Sequence, residues 1–518
     1  MTVAAPPGTG PNRWTVMAGA CLGVFSLTMN GTALITAVPA IRHAFDIGPV
    51  TVQWIVTIYF LTGAVFLAAA GRIGDHFGHG RVFLAGAVSF MIAYVMIALA
   101  GNAATILIGR AIQGFAGALL LPMSLALFKA TFPEHQRQVA AGIWSGFLGL
   151  GLGIGPIVGG LLTHYLDWRA VFWVSLAIAA LAFVIVAAAM RGHVEARAER
   201  SAGKRDYPGF VLLAVAMAAF TYAITHAQGL GWASVATLGT LFVAVAALVI
   251  LLLRERRLER PFLDLKLFRH RHFIAATVGI LSTFFLIYGI LYFASVFVQN
   301  TLTLGDSAAQ AGVTLIALTI VMFVVSLFVD RAVSRLGPRS VVTTGMVLLC
   351  LGALLLHIEV AVDNLVGLET ALVLCGLGLG LTVPVFSGIG LATLSPHQTG
   401  QGAGLLTTFT FLGATIGVSL GGLVSAAATE GSLANSLAEL QITDPTQLSA
   451  VRAGLHADAA QLQSVLGQFE AATAATVQAA LRHAVDAGFE ALTLLCVIVA
   501  AIGAIAQFVL LRTSKSAP

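Results

Sequence analysis

A chain of 518 residues with 58% hydrophobic and only 9% charged side chains, and a mean hydropathy of +0.95, does not belong with soluble globular proteins, which carry about 25% charged residues. Its net charge of +5 does not point to nucleic acid, because the lysines and arginines sit between apolar runs and form no continuous basic patch. Cys21, Cys350, Cys375 and Cys496 lie singly inside apolar runs without metal-ligand spacing, so buried packing is expected and neither a disulfide framework nor a metal site.

A membrane-spanning helix needs about 20 apolar residues. Fourteen such segments follow one another, at 14–38, 51–70, 82–100, 103–127, 138–162, 170–190, 208–228, 233–253, 273–298, 309–329, 340–358, 365–391, 400–427 and 487–511. The first is too long for the apolar core of a signal peptide and reads as an uncleaved span. Of the 27 lysines and arginines, 22 fall on the side of the N-terminus. Four (Arg42, Arg169, Arg452, Arg482) fall on the other side, and Arg110 lies within a span. This asymmetry predicts cytoplasmic termini in a multi-pass protein of the cell (inner) membrane. The basic loop 254–271 reads most simply as an anchor to anionic lipid.

Between spans 2 and 3 lies GRIGDHFGHGR, Gly71 to Arg81. Its glycines, Gly78 among them, permit a tight turn. Asp75 is placed to cap the next helix, and Arg72 and Arg81 can pair with Asp75 or with lipid phosphate. A worn copy, DRAVSRLGPR, runs from Asp330 to Arg339, with Gly337 matching Gly78 and Ser334 in place of Asp75.

In span 4, an arginine at the bilayer centre costs about 2.5–3.5 kcal/mol, so Arg110 is expected to face the protein interior or water. Gln113, Gly114 and Gly117 share its helical face. A functional charge and a structural arginine bonded to backbone carbonyls both fit this placement. In span 5, Gly142, Gly146, Gly149, Gly153 and Gly160 form one stripe and Gly151, Gly155 and Gly159 another, so two neighbours can approach backbone to backbone. Pro156 bends that helix.

Sliding the chain by 262 residues lays Gly114 on Gly376, Pro122 on Pro384, Gly142 on Gly404, and Gly151, Gly155, Gly159 and Gly160 on Gly413, Gly417, Gly421 and Gly422. Internal repeats of this kind build secondary transporters, with the site at the midplane between the repeats. The expected domains are an N-terminal six-helix bundle over 1–190, an inserted two-helix linker over 191–271 and a C-terminal six-helix bundle over 272–518. The long segment 428–486 has apolar residues at helical spacing, among them Val451, Leu455, Leu462, Leu466, Val477, Leu481 and Val485. They predict an amphipathic helical hairpin over the outer mouth.

No carboxylate lies deep in a span, and GLGIG at 151–155 and GLGLG at 376–380 follow no strand, which excludes a dinucleotide fingerprint. No cofactor and no enzymatic activity are expected.

In order, GRIGDHFGHGR, LIGRAIQGFAGALLLP and GLGLGIGPIVGG resemble the three signature motifs of the major facilitator superfamily. Together with QWIVTIYFL, DWRAVFWV and RPFLDLKLF, the fourteen spans are similar to its fourteen-helix drug:proton antiporter branch. The resemblance implies an all-α major facilitator fold of six, two and six helices. It also implies a secondary active exporter of amphipathic small molecules, drug or metabolite, working by alternating access with proton coupling.

By that resemblance Gly71, Asp75, Gly78 and Arg81 belong to a conformational latch. Arg110, Gln113 and Gly114 belong to the coupling motif, and Gly151, Gly155, Pro156 and Gly159 to the antiporter helix. The sequence departs from the branch at Asn30, where the first helix usually carries aspartate, and at His76 and His79 in the first loop. Uncharged Asn30 favours neutral or anionic substrates over dications, with Arg110 as anion partner.

The expected cavity is lined by spans 1, 2, 4, 9 and 12, with Asn30, Trp54, Tyr59, Arg110, Gln113, Tyr288 and Tyr292 as contacts. Two other readings stay open: a lipid or secondary-metabolite exporter not driven by proton antiport, and a membrane scaffold or sensor that does not transport. The expected partners are a small-molecule substrate and membrane lipid, around a monomer, with a periplasmic adaptor protein left open.

Overall fold

The computed structural model describes residues 12–133, 136–191, 207–231, 233–258, 265–300, 302–303, 305, 307–360, 365–392, 394, 396–442, 444–455 and 459–511. Among them every long element is an α-helix. In hydrocarbon no water satisfies backbone groups, so each crossing must bond within itself. The helices are α1 (Arg13–Phe45), α2 (Pro49–Phe77), α3 (His79–Ala98), α4 (Ala103–Thr131), α5 (Arg137–Tyr165), α6 (Arg169–Ala189), α7 (Tyr207–Leu230) and α8 (Val235–Glu255). After a 3-10 turn come α9 (Arg271–Gln299), α10 (Ala308–Val360), α11 (Leu365–Leu391), α12 (Pro396–Glu439), α13 (Pro445–Gly454), α14 (Ala459–Leu466) and α15 (Ala471–Leu510).

Thirteen of these are long and apolar enough to cross a membrane. The fourteen predicted spans become thirteen helices because spans 10 and 11 run together as α10. Its 53 residues would reach about 80 Å at 1.5 Å per residue, far beyond a bilayer core of about 30 Å. The run is broken at Gly337, at φ 78° and ψ 154°. Its sequence counterpart Gly78, at φ 94° and ψ 137°, is the single residue between α2 and α3. Both conformations disfavour any side chain with a Cβ.

The expected polar loop at 71–81 is therefore helix as far as Phe77. The cap of α3 is Gly78, with no side-chain bond, and not Asp75. The side chains of Gly71, Arg72 and Asp75 lie outside the described residues. Arg81 is exposed on α3.

Helices α1 to α6 pack mainly on one another, as do α9 to α12 with α15. The glycine stripe of α5 explains its closest approach. A Cβ at Gly151, Gly155 or Gly159 would run into the carbonyls of Phe25, Met29 and Ala33 on α1 and the hydroxyls of Thr28, Thr32 and Thr36. Thr32 and Thr36 donate to the carbonyls of Leu152 and Pro156 at 3.3 and 3.4 Å. The copy behaves alike: Gly413 and Gly417 of α12 lie against the carbonyls of Leu281 and Phe285 on α9.

The inserted α7 packs on both α2 and α12, and α8 packs on α7 with Val235, Phe242 and other apolar side chains facing outward. The segment 428–486 continues α12 and starts α15 early, with α13 and α14 between them. Val451, Leu455, Leu462, Leu466, Val477, Leu481 and Val485 are all buried, so the apolar period marks an inward face. Asp444 caps α13 by accepting from the backbone N–H of Thr446 at 2.7 Å and Gln447 at 3.1 Å. The face of the bundle nearest this segment is the one the basic-residue count assigns to the outside, hereafter the outer face.

Candidate functional site

Arg110 stands eight residues into α4, about 10 Å below its outer end at 1.5 Å per residue. Its side chain is fully buried. The guanidinium donates from Nε to the Ile55 carbonyl of α2 at 3.0 Å, and from Nη1 to Gln113 Oε1 at 2.7 Å and Asn30 Oδ1 at 3.5 Å. Its carbon lies 4.4 Å from the centre of the Tyr59 ring, whose negative face partly replaces the missing counter-ion. No carboxylate pairs with it among the described residues. Nη2 of Arg110 and Nε2 of Gln113 are both buried without a hydrogen-bond partner. An ionised group in that state is costly unless a ligand or water completes it.

The site is held by a polar thread through the first group of helices. Asn30 Nδ2 donates to Ser175 Oγ on α6 at 3.3 Å, and that hydroxyl donates to the Val171 carbonyl at 2.7 Å. Ser26 Oγ donates to the Ser175 carbonyl at 3.0 Å, and Tyr94 OH to the Ser26 carbonyl at 3.1 Å. Gly114 lets α4 touch α2, since a Cβ there would meet the Tyr59 carbonyl and the Thr62 hydroxyl. Asn30, Tyr59, Arg110 and Gln113 are thus one cluster.

Next to it, aromatic rings from both groups of helices interlock. Phe60 of α2 lies 4.4 Å from Tyr288 of α9 and 6.0 Å from Phe411 of α12, and Phe411 lies 6.1 Å from Tyr59 (ring centres throughout). A Cβ at Gly31 of α1 would lie 3.9 Å from the Tyr288 hydroxyl. Sequence reading named Tyr288 but missed Phe60, Phe411 and Gly63, whose missing side chain makes room for the Phe411 ring. A phenylalanine in an apolar run carries no spacing that separates this role from facing lipid.

Two of the expected contacts lie elsewhere. Trp54 points to α7, its ring 5.9 Å from His226 and 6.4 Å from Tyr222. Tyr292 lines a separate pocket nearer the outer face. The second-group helix that packs on α2 is α12, from span 13, whereas α11, from span 12, packs chiefly on α10 and α9.

Among the described residues of α5, contacts with the second group loosen toward the inner end. Along α5, Gly160 is pressed on the Ala308 carbonyl of α10, a Cβ at Gly153 would lie 3.4 Å from the Thr319 carbonyl, and one at Gly149 would lie 3.6 Å from Phe323. At Gly146, Gly142 and the copy Gly404 nothing lies within 4 Å. At the outer end Ser295 and Gln299 of α9 donate to the carbonyls of Ile35 and Thr36 on α1, each at 3.3 Å. At these positions the described residues of the two groups touch toward the outer end.

Residues 20–418 match the model of the Major Facilitator Superfamily. The chain belongs to that superfamily. This transporter is 32% identical over 468 residues to the tetracenomycin C resistance and export protein of Streptomyces glaucescens, covering 89% of this chain and 85% of that one. It is 31% identical over 431 residues to the multidrug resistance protein Stp of Mycobacterium tuberculosis, covering 82% and 78%. To the multidrug transporter MdtP of Bacillus subtilis it is 26% identical over 454 residues, covering 86% and 82%. Among solved structures, a bacterial homologue of the human lysosomal transporter Spinster overlays with a TM-score of 0.64 at 16% identity, covering 98% of this chain and all of that one. This last likeness concerns the fold alone. The transporter is a multi-pass membrane protein and not an enzyme.

Proposed function

We propose that this chain exports amphipathic small molecules, neutral or anionic, by alternating access of the Arg110 centre to the two sides of the membrane. The observation that carries the reading is a fully buried guanidinium with no carboxylate partner among the described residues, whose Nη2, like Gln113 Nε2, is buried without an acceptor. Such a centre favours a ligand that brings an acceptor or a negative charge, and the rings of Tyr59, Phe60, Tyr288 and Phe411 supply the apolar side of the match. Drug resistance among the relatives supports efflux as the direction.

In an efflux-deficient bacterium, the chain is expected to raise tolerance to anionic and neutral amphipathic drugs, tetracenomycin C among those to try, more than to dications. Arg110→Ala should lower that tolerance by about tenfold or more, the effect of losing one charged hydrogen bond. Strong protection against a dication, unchanged in Arg110→Ala, would contradict the proposal.

The resemblance to drug:proton antiporters makes proton exchange the first expectation for energy coupling. One observation favours a second reading without it: Asn30, not an acid, sits 3.5 Å from Arg110. Substrate-dependent pH change in proteoliposomes separates the two. Antiport gives a signal in the wild-type protein, whereas the second reading gives none until Asn30→Asp restores a titratable group.

A further inference from the structure

A pocket of about 200 Å³ lies apart from the Arg110 centre, at the outer end of the seam between α2 and α12. One wall comes from the first group of helices, with Val38 and Arg42 of α1 and Gln53 of α2. The facing wall comes from the second, with Tyr292 of α9, Ser425 of α12 and Phe489 of α15. Leu455, just past α13, and Val485 bring the outer segment over it. Gln299, which lines it, donates to the Thr36 carbonyl of α1, and Ser295, one turn further in, donates to that of Ile35.

The repeat explains why there is room here. Gly160 of α5 and its copy Gly422 of α12 occupy matching places. Gly160 meets the backbone of Ala308 and Gly312, so α5 and α10 close backbone to backbone. Gly422 meets the amide of Gln53, and that longer side chain stands between α2 and α12 where the first seam has none.

The pocket's chemistry is uneven. Its walls are mostly apolar, yet Arg42 makes one hydrogen bond, from Nε to the Ile47 carbonyl at 3.3 Å, and no ion pair among the described residues. Arg42 and His43 line the α1 wall, the Arg42 guanidinium also feeling the charge of Asp46, while Glu430 stands at the rim of the α12 wall.

We propose that this pocket is an externally accessed site for amphipathic aromatic anions, and that an occupant touching both walls holds the outer face of the transporter shut. An anion held by Arg42 and packed on Tyr292 and Phe489 would lose one of its walls whenever α1 and α2 part from α9 and α12. It therefore binds the outer-closed state more tightly and shifts the population toward it. The second clause rests on the alternating-access reading; the first does not.

The test uses the full chain in lipid nanodiscs with 2-naphthoate as the probe and 2-naphthylmethylammonium as its cationic twin. Calorimetry is expected to give saturable naphthoate binding, weakened about tenfold or more in Arg42→Ala and largely restored in Arg42→Lys. Ala426→Phe, which fills the pocket, should remove it, and Arg110→Ala should leave it in place. Equal binding of the cation, or loss of binding in Arg110→Ala with none in Arg42→Ala, would overturn the site.

For the second clause, spin labels at Tyr165→Cys and Val366→Cys, both on exposed outer ends, report the separation of the two groups of helices. Naphthoate is expected to enrich the short-distance population. An unchanged or lengthened distance in a protein that binds naphthoate would sink the closure while sparing the site. A single distance population under every condition tried would instead count against alternating access and, with it, the closure.

Discussion

The two seams at which the helix groups meet are related by the sequence repeat and are built differently. Where α5 meets α10, Gly160 and Gly153 face backbone carbonyls, with the Phe323 ring beside Gly149 further in. Where α2 meets α12, Gln53 covers Gly422, Phe411 fills the space left by Gly63, and α7 lies along the outside against both. At its outer end the first seam is set by shape, because a backbone cannot yield. The second is filled by side chains, which can rotate, and it is the seam that carries the pocket and the outer segment. The lesson is that a duplicated fold leaves each copy of a contact free to specialise, one as a close-fitting edge and the other as an adaptable one.

The contrast is most sharply broken by adding bulk. Gly160→Leu drives a side chain into the Ala308 carbonyl and is expected to cost about 3 kcal/mol or more, the upper end for overpacking. Gly422→Leu is expected to cost about 1 kcal/mol, because Gln53 can swing aside. Detergent melting curves of the two variants compare them directly, and equal losses would erase the distinction between the seams.

A smaller effect is expected from loosening the outer brace of the second seam. Trp54→Ala removes the half-buried indole that packs on Tyr222 and His226 of α7, a loss of about 1–3 kcal/mol, below the roughly 3–5 kcal/mol of fully buried aromatic truncations. Proteolysis within the α6–α7 connection should quicken in this variant if α7 is held mainly through α2. An unchanged rate would place the hold on α12 instead.

Smaller again is Thr225→Val, which deletes the bond from α7 to Ser419 Oγ of α12 at 3.4 Å. Interhelical bonds of this kind contribute about 0.6 kcal/mol in membranes, so the melting point should fall only slightly. A fall comparable to that of Trp54→Ala would show that α7 is keyed to the second group of helices.

The smallest effect concerns the segment above the pocket. Backbone N–H groups of Gln447 and Thr446 hold the Asp444 carboxyl below the usual aspartate value. A depressed value means that the cap stabilises α13 above the unfolded aspartate range and that this contribution disappears as pH falls through the folded value. Hydrogen exchange of α13 should therefore be flat from neutral pH down to the ordinary aspartate range, after correction for intrinsic rates, and accelerate below it. Asp444→Asn should remove that acid-side acceleration.

Much of the architecture is legible in the sequence. Gly78 and Gly337 were matched as turn residues, and both take up positive φ. The stripe of Gly151, Gly155 and Gly159 was read as a close-packing face, and it lies on α1. Arg110 was placed facing the interior on grounds of cost, and it is fully buried. Asn30 and Tyr59 were named with it, but nothing in the spacing stated that Asn30 would hand the thread on to Ser175. By sequence an aromatic near a helix end fits a cavity wall and an α7 contact equally well, and the Trp54 ring packs on α7. Phe60 and Phe411 were passed over for the matching reason, since lipid and protein interior select the same side chains.

The sequence by itself determined which segments must be helical and span the membrane, which residues could bend or closely pack them, and that one half echoes the other. Each of these follows from a local rule: hydrocarbon forbids unpaired backbone, glycine alone fits a positive φ or a backbone contact, and a buried charge must turn inward. Only the tertiary structure decided which glycine met a carbonyl and which met Gln53, that α7 would lean on both groups of helices, and that a pocket would open at the outer end of the second seam. Those outcomes depend on side chains far apart in the chain competing for one volume, and no local rule records who occupies it.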